Sequence, residues 1–288
     1  MNTDAIGIAG TGRVAQALGR LLRERGEPVV AVAGRNPEHT ARAAEFIGAA
    51  AVSPGRLPEC AGRVLIAVSD GAVTDVARDL AEAGMRRGTA LHTCGAHGPE
   101  ILEPLVRAGV ACGVLHPLQT IATPEAGVTV LPGSTFAVSG DAAAVAWGEH
   151  IVALFGGTAL PIAPGSMALY HAAAVMASNY VTGLIDAAAI LMKTAGIGEE
   201  TALAALGPLI RAGVQNALAL GPERALTGPI ERGDVETVRR HLRSLAAAPP
   251  SVSGLYRSAG LHVLEMARRR GLAEAKAGEI ETLLREGR

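Results

Sequence analysis

The feature that most constrains this chain is its first strand-turn-helix. Residues 5–9 are a short apolar run, Gly10-Thr11-Gly12-Arg13-Val14-Ala15 follows at once, and residues 13–25 continue as an amphipathic helical stretch. A glycine at the strand end permits a tight turn. A second glycine two residues on lets backbone N–H groups approach a pyrophosphate at the helix N-terminus, and Ala15 allows helix and strand to pack closely. The G-x-G-x-x-G/A spacing is weak by itself, but at the opening of a βαβ unit it reads as a dinucleotide loop in place of an ordinary tight turn.

The pattern then repeats. Strand-like runs at 28–33, 63–68, 89–93 and 111–115 alternate with helical runs at 37–48, 72–83 and 98–108. Such alternation with short connections predicts a parallel sheet covered by helices on both faces. A strand at 134–138, a helix at 141–155 and a strand at 159–162 extend the same sheet. After Pro164 the strand signal stops, and residues 166–194, 199–219, 234–248 and 253–270 read as helices at a 3.6-residue period, followed by a charged final helix at 273–288. The expected fold class is α/β: an N-terminal Rossmann doubly wound parallel sheet over 1–163 and a C-terminal all-helical domain over 164–288.

Composition narrows the partners. With 26 Lys+Arg against 27 Asp+Glu and 2% aromatics, the chain has neither a basic footprint for phosphate backbones nor a stacking platform, so no nucleic acid partner is expected. The start MNTDAIGIAGTG lacks a cationic segment ahead of its apolar run, which does not read as a signal peptide. The longest apolar stretch, 181–192, is interrupted by Asp186 and preceded by Asn179, so no membrane span is expected and the cytoplasm is the expected location. Cys60, Cys94 and Cys112 lack C-x-x-C spacing and read as core thiols. The helix at 166–194 is apolar on nearly every side, as in a bundle core or a dimer interface, and a homodimer is expected.

Candidate binding residues follow from the sheet. The second strand ends in Ala33-Gly34-Arg35-Asn36, with no acidic residue for a ribose 2′-hydroxyl; Arg35 suits a 2′-phosphate instead, so the expected cofactor is NADP(H), with Asn36 beside it. Val68 and Ser69, before Asp70, close the next strand on the same edge. Two further strands end in polar clusters, His92-Thr93-Cys94-Gly95 and Leu115-His116-Pro117, each placing a histidine with ordinary near-neutral titration where a nicotinamide would lie. His92 reads equally well as a functional or a structural strand end. His92, Cys94 and His97 on one tight loop make a poor tetrahedral set, so no metal is expected. His171 and Ser178 are seven residues apart on one helix, with Asn179 adjacent, and form a polar stripe that lines a cleft or satisfies itself within a bundle. In the turn-rich 226–234 segment Asp234 suits a helix cap. Thr227 and Arg232 are left as substrate-binding candidates, Arg232 being equally readable as a solvated charge.

The succession GIAGTGRVAQAL, AVAGRNPE, LIAVSD, LHTCGAHG, LHPLQT, LYHAAAVMASNY and ALTGPIERGD resembles a bacterial family of Rossmann-like oxidoreductases whose C-terminal half is a domain of unknown function. Its kin are ketopantoate reductase, pyrroline-5-carboxylate reductase, prephenate dehydrogenase and 6-phosphogluconate dehydrogenase, NAD(P)-dependent and mostly dimeric through the helical part. The resemblance implies an NADP(H)-dependent oxidoreductase acting on a small carboxylate-bearing carbonyl, imine or alcohol, with ketopantoate the first substrate to test. His116-Pro117 is similar to the His-Pro of prephenate dehydrogenases, implying His116 as acid/base with His171, Ser178 and Asn179 orienting substrate. The Lys that ketopantoate reductase and 6-phosphogluconate dehydrogenase carry on the helix opening the second domain has no counterpart, since the only lysines are Lys193 and Lys276. In the family a Lys is common at the position of Met167 and a Ser at that of Cys94. The rival expectation is therefore a non-catalytic NADP-binding regulatory or scaffold dimer.

Overall fold

The computed structural model describes residues 4–286. They form two compact units, one running to Asn179 and one from Tyr180. The first is built on eight strands: β1 (Ile6–Ala9), β2 (Val29–Ala33), β3 (Ala50–Val52), β4 (Arg63–Ile66), β5 (Thr89–His92), β6 (Ala111–Pro117), β7 (Thr135–Gly140) and β8 (Thr158–Pro161). Their order in the sheet is β3-β2-β1-β4-β5-β6-β7-β8. The order reverses between β1 and β4, the point where α/β sheets open a crevice at their carboxyl ends.

Helices cover both faces. On one, α1 (Arg13–Glu24), α2 (Pro37–Ile47) and α7 (Ala142–Leu154) bury Leu18, Leu22, Ile47 and Trp147 against Ile6, Ile8 and Phe136. On the other, α3 (Leu57–Cys60), α4 (Val73–Glu82) and α5 (Glu103–Arg107) bury Leu57, Val73, Leu80 and Leu105 against Val64, Ile66 and Ala90. Strands buried on both sides read as unbroken apolar runs, which is why they were legible. Cys94 and Cys112 are buried, as expected of core thiols, and Cys60 is half-buried.

Two features were not expected from the sequence, a third strand and an antiparallel one. The edge strand β3 is Ala-rich and mostly exposed, and alanine carries little strand signal. β7 runs antiparallel to β6, with Phe136 opposite Pro117. The intervening helix, α6 (Pro124–Val130), has seven residues and spans about 10 Å, less than half the roughly 23 Å of the seven-residue strand it would have to retrace. The chain therefore re-enters the sheet at the edge where β6 ends.

The unit closes with α8 (Met167–Ala177), whose Met167 packs on Val114 and Ala137. The strands stop before Pro164, but the packing division comes after α8. The single helix expected over 166–194 is split at Ser178, whose φ of −124° and ψ of −73° leave the helical region. Ser and Asn offer the backbone competing hydrogen bonds, and the pair Ser178-Asn179 sits at this break.

The second unit is helical: α9 (Asn179–Thr194, whose first residue closes the first unit), α10 (Glu199–Leu220), α11 (Pro222–Ala225), α12 (Val235–Ser244), α13 (Pro250–Arg269) and α14 (Glu274–Arg285). Val238, Leu264, Ala267, Ala277, Ile280 and Leu284 form its core between α12, α13 and α14. Arg268 ties that bundle together through Glu265, Glu274 and Glu281 at 2.7–3.0 Å. By contrast α9 and α10 each bury a single residue, Ala187 and Ala202, while Leu209 is 69% and Leu218 82% exposed. By length and composition 167–194 and Glu199–Leu220 are sufficient to cross a membrane, a reading the sequence argument had set aside on Asn179 and Asp186.

Candidate active site

A cleft of about 610 Å³ opens at the carboxyl ends of β1, β2, β4, β5 and β6. Its floor is the glycine loop. Gly10 adopts φ +131°, and a Cβ there would collide with the Ala67 carbonyl oxygen, so only glycine lets β1 turn this close to β4. Gly12 differs: a Cβ would meet no protein atom within 4 Å, so the space in front of it is open. The Gln16 side-chain amide donates to the Thr11 carbonyl at 2.9 Å and holds the loop from α1. The first turn of α1 has no acidic residue, and the first-turn N–H groups of an α-helix lack intrahelical partners. Thr11, Gly12, Arg13 and Val14 all line the cleft, an anion-binding floor of the kind a dinucleotide pyrophosphate requires.

The rim separates the remaining cofactor candidates. Arg35 is exposed, lines the cleft and has no ion-pair partner among the described residues. Asn36 instead caps α2, its Oδ1 accepting from His39 N at 3.0 Å, so its carboxamide oxygen is committed to the helix. Val68, Ser69 and Thr93 line the cleft as the strand ends predicted. His92 does not. It is fully buried, Nδ1 accepting from Cys94 N at 3.2 Å and Nε2 donating to Gly98 O at 3.0 Å. Both nitrogens are consumed in folding the 92–98 loop, and burial lowers the ring's pKa from 6.5 to about 4. The structural reading of His92 therefore replaces the cofactor-contact one. Pro54, Leu57, Val76, Leu80, Asp75 and Asp79 form a wall that the sequence reading missed, since sheet order, not chain proximity, assembles them.

His116, the penultimate residue of β6, lines the cleft, as expected. Its Nδ1 lies 2.9 Å from the Tyr170 hydroxyl, and the His171 ring meets it edge-on with centroids 5.7 Å apart. Gly95 makes that meeting possible, because a Cβ there would stand 2.6 Å from His116 Nε2 and 2.5 Å from His171 Cδ2. The expectation of near-neutral titration is corrected: burial, then the neighbouring His171, lowers the His116 pKa to about 4. Burial likewise pushes Tyr170 up to about 12. His116 and Tyr170 are thus both uncharged at neutral pH. Tyr170 was not anticipated; its signal was a rare aromatic beside a histidine on an apolar helix.

The other candidates fall elsewhere. Ser178 is half-buried at the break after α8 and Asn179 is exposed, and neither lines the cleft. Thr227 and Arg232 are exposed in the second unit, on the turn ahead of α12. Asp234 caps α12 as anticipated, accepting from Thr237 N at 3.0 Å and Thr237 Oγ1 at 2.7 Å. Among the described residues no group of three or more His, Cys, Asp or Glu could hold a metal ion.

Residues 2–117 match the Rossmann-like domain and residues 134–263 match a domain of unknown function, DUF2520. The chain thus joins a Rossmann-like segment to a DUF2520 segment. No curated protein matches the sequence. Among solved structures the fold is similar to that of protein TM1727 from Thermotoga maritima, at 22% identity and a TM-score of 0.75, covering 91% of this chain and 99% of that one. It is also similar to a reductive aminase from Aspergillus terreus in complex with NADPH and ethyl levulinate, at 20% identity and 0.67, covering 100% of both chains. An imine reductase from Pseudomonas sp. matches at 20% identity and 0.64, covering 98% of each chain. In this Rossmann-like/DUF2520 chain the pair His116 and Tyr170 takes one residue from each matched segment.

Proposed function

We propose that the protein is an NADP(H)-dependent oxidoreductase that reduces a small carbonyl or imine. The observation that carries this reading is that His116, with Nδ1 occupied by Tyr170, stands on the same cleft as an open glycine loop at a helix N-terminus. The residues fit the cofactor: Gly12 leaves room for a pyrophosphate, the first turn of α1 faces it with N–H groups, and the unpaired Arg35 guanidinium suits a 2′-phosphate. Bound there, the nicotinamide supplies hydride to an electrophilic carbon.

The chain's own part is to handle the heteroatom. As carbon accepts hydride, charge develops on the attached oxygen or nitrogen, and a hydrogen-bond donor aimed at that atom stabilises it. His116 is neutral at physiological pH, so it acts as a neutral donor rather than as an imidazolium. His171, packed on the same glycine, orients the substrate. A C=N substrate takes first place because two proteins of this fold are a reductive aminase and an imine reductase; 2-oxo acids, ketopantoate among them, take second. The exposed apolar faces of α9 and α10 support a homodimer in which a second copy covers them.

NADPH oxidation measured against cyclic imines, 2-oxo acids and amine-plus-ketone pairs tests the reading, with NADPH titration calorimetry beside it. Turnover on a member of the panel is expected. Tight NADPH binding without turnover on any of them would favour the non-catalytic alternative, and a monomer by sedimentation at micromolar concentration would remove the dimer.

A further inference from the structure

The hydrogen bond between His116 and Tyr170 has two possible directions, and either leaves one donor and one acceptor of the pair without a protein partner among the described residues. Donor and acceptor strength separate them. A phenol O–H is a stronger donor than a neutral imidazole N–H, and a bare imidazole nitrogen is a stronger acceptor than a phenol oxygen, so the tyrosine O–H donates to Nδ1 and Nε2 carries the remaining hydrogen. The leftover Nε2 lies against Gly95, whose missing side chain keeps that edge of the ring uncovered.

We propose that Tyr170 is a positioning residue that holds His116 as the Nε2–H tautomer, so that a neutral N–H donor is presented on the cleft. This rests on the oxidoreductase reading only for its purpose; the tautomer is a property of the protein itself. The lock supplies a hydrogen-bond donor to the charge that develops on the substrate heteroatom in the transition state, whichever way the hydride moves. It also explains how a histidine with a depressed pKa remains useful, since the ring donates without being charged. The charged and titratable groups around the ring are Tyr170, His171, His92 and Asp70, and of these Tyr170 alone bonds a ring nitrogen of His116.

Long-range proton–nitrogen NMR of the full-length protein with 15N-labelled histidine reads the tautomer at pH 7, with His116→Gln assigning the signals. Nε2 is expected as the protonated nitrogen and Nδ1 as the bare one. In Tyr170→Phe the ring should become a mixture of both tautomers, and kcat for reduction should fall about 3- to 10-fold at unchanged KM, the worth of one hydrogen bond. A wild-type ring already protonated at Nδ1, or a Tyr170→Phe ring with an unchanged tautomer, overturns the proposal. Because the spectra require no turnover, an absence of reductase activity would count against the oxidoreductase reading and not against the lock.

Discussion

Burial of His92 makes the stability of the first unit depend on pH in a calculable way. In the unfolded chain the ring titrates near 6.5; in the folded protein burial lowers that to about 4. Between those values the unfolded state binds a proton that the folded state refuses, so stability is complete above about pH 6.5 and is lost as pH falls toward 4. At about 1.4 kcal/mol per unit, the 2.5-unit gap amounts to roughly 3 kcal/mol, undiluted by solvent because the side chain is fully buried. His116 acts in the same direction, its pKa also falling to about 4. The assay is urea unfolding at pH 7, 6, 5 and 4 followed by fluorescence of Trp147, the one tryptophan in the chain and a core residue of this unit. His92→Gln keeps an amide donor and acceptor for Gly98 O and Cys94 N but cannot titrate, so it should be less stable than wild type at pH 7 yet lose about 3 kcal/mol less on the way to pH 4. Parallel stability curves for the two proteins would refute the reasoning, showing that His92 is hydrated in solution.

The two glycines of the loop should behave oppositely. Gly10→Ala meets the Ala67 carbonyl at φ +131° and should cost about 3 kcal/mol or more in urea melts, whereas Gly12→Ala should melt like wild type while losing NADPH affinity by calorimetry. Arg35→Ala should erase most of a 10- to 100-fold preference for NADPH over NADH, the worth of a charged hydrogen bond, and equal affinities in the wild type would show that Arg35 contacts only solvent. His116→Ala should lower kcat by about 10²–10³, the worth of one donor to the developing charge, with NADPH affinity little changed, while His171→Ala should raise KM more than it lowers kcat. The reverse outcome in steady-state kinetics would transfer the donor role to α8.

Local chemistry made part of this molecule legible and left the rest dark for identifiable reasons. The glycine loop, the doubly covered strands and the Asp234 cap are properties of a few neighbouring residues, and each forms where the residue types require it. The reversed β7 depends on the length of a helix whose glycine, valines and threonine do not read as helical, and β3 is held by its pairing with β2 rather than by its own alanines. His92 and His116 look alike in sequence, each closing a strand with a histidine. What separates them is the following residues: the 92–98 loop folds back and takes both nitrogens of one ring, whereas β6 continues into Pro117 and leaves the other ring on the cleft.

The Lys common at the position of Met167 in the resembling family, and Met167 itself, lead to one last consequence. Met167 is buried against Val114 and Ala137, a setting with no room for an unpaired ammonium, so no cation can be restored there without repacking the start of α8. His116 and Tyr170 instead stay neutral across the physiological range, the histidine held down by burial and the tyrosine held up by it. A neutral N–H donor gives a useful hydrogen bond to a carbonyl oxygen or an uncharged imine nitrogen, both of which offer a lone pair. It offers nothing to an iminium nitrogen, which has none. An iminium already carries the positive charge that draws hydride, and beside it the uncharged His116 and Tyr170 add no repulsion. On the proposed reading the two uncharged rings suit a C=N substrate, and the absence of a lysine at position 167 does not by itself argue for an inert protein.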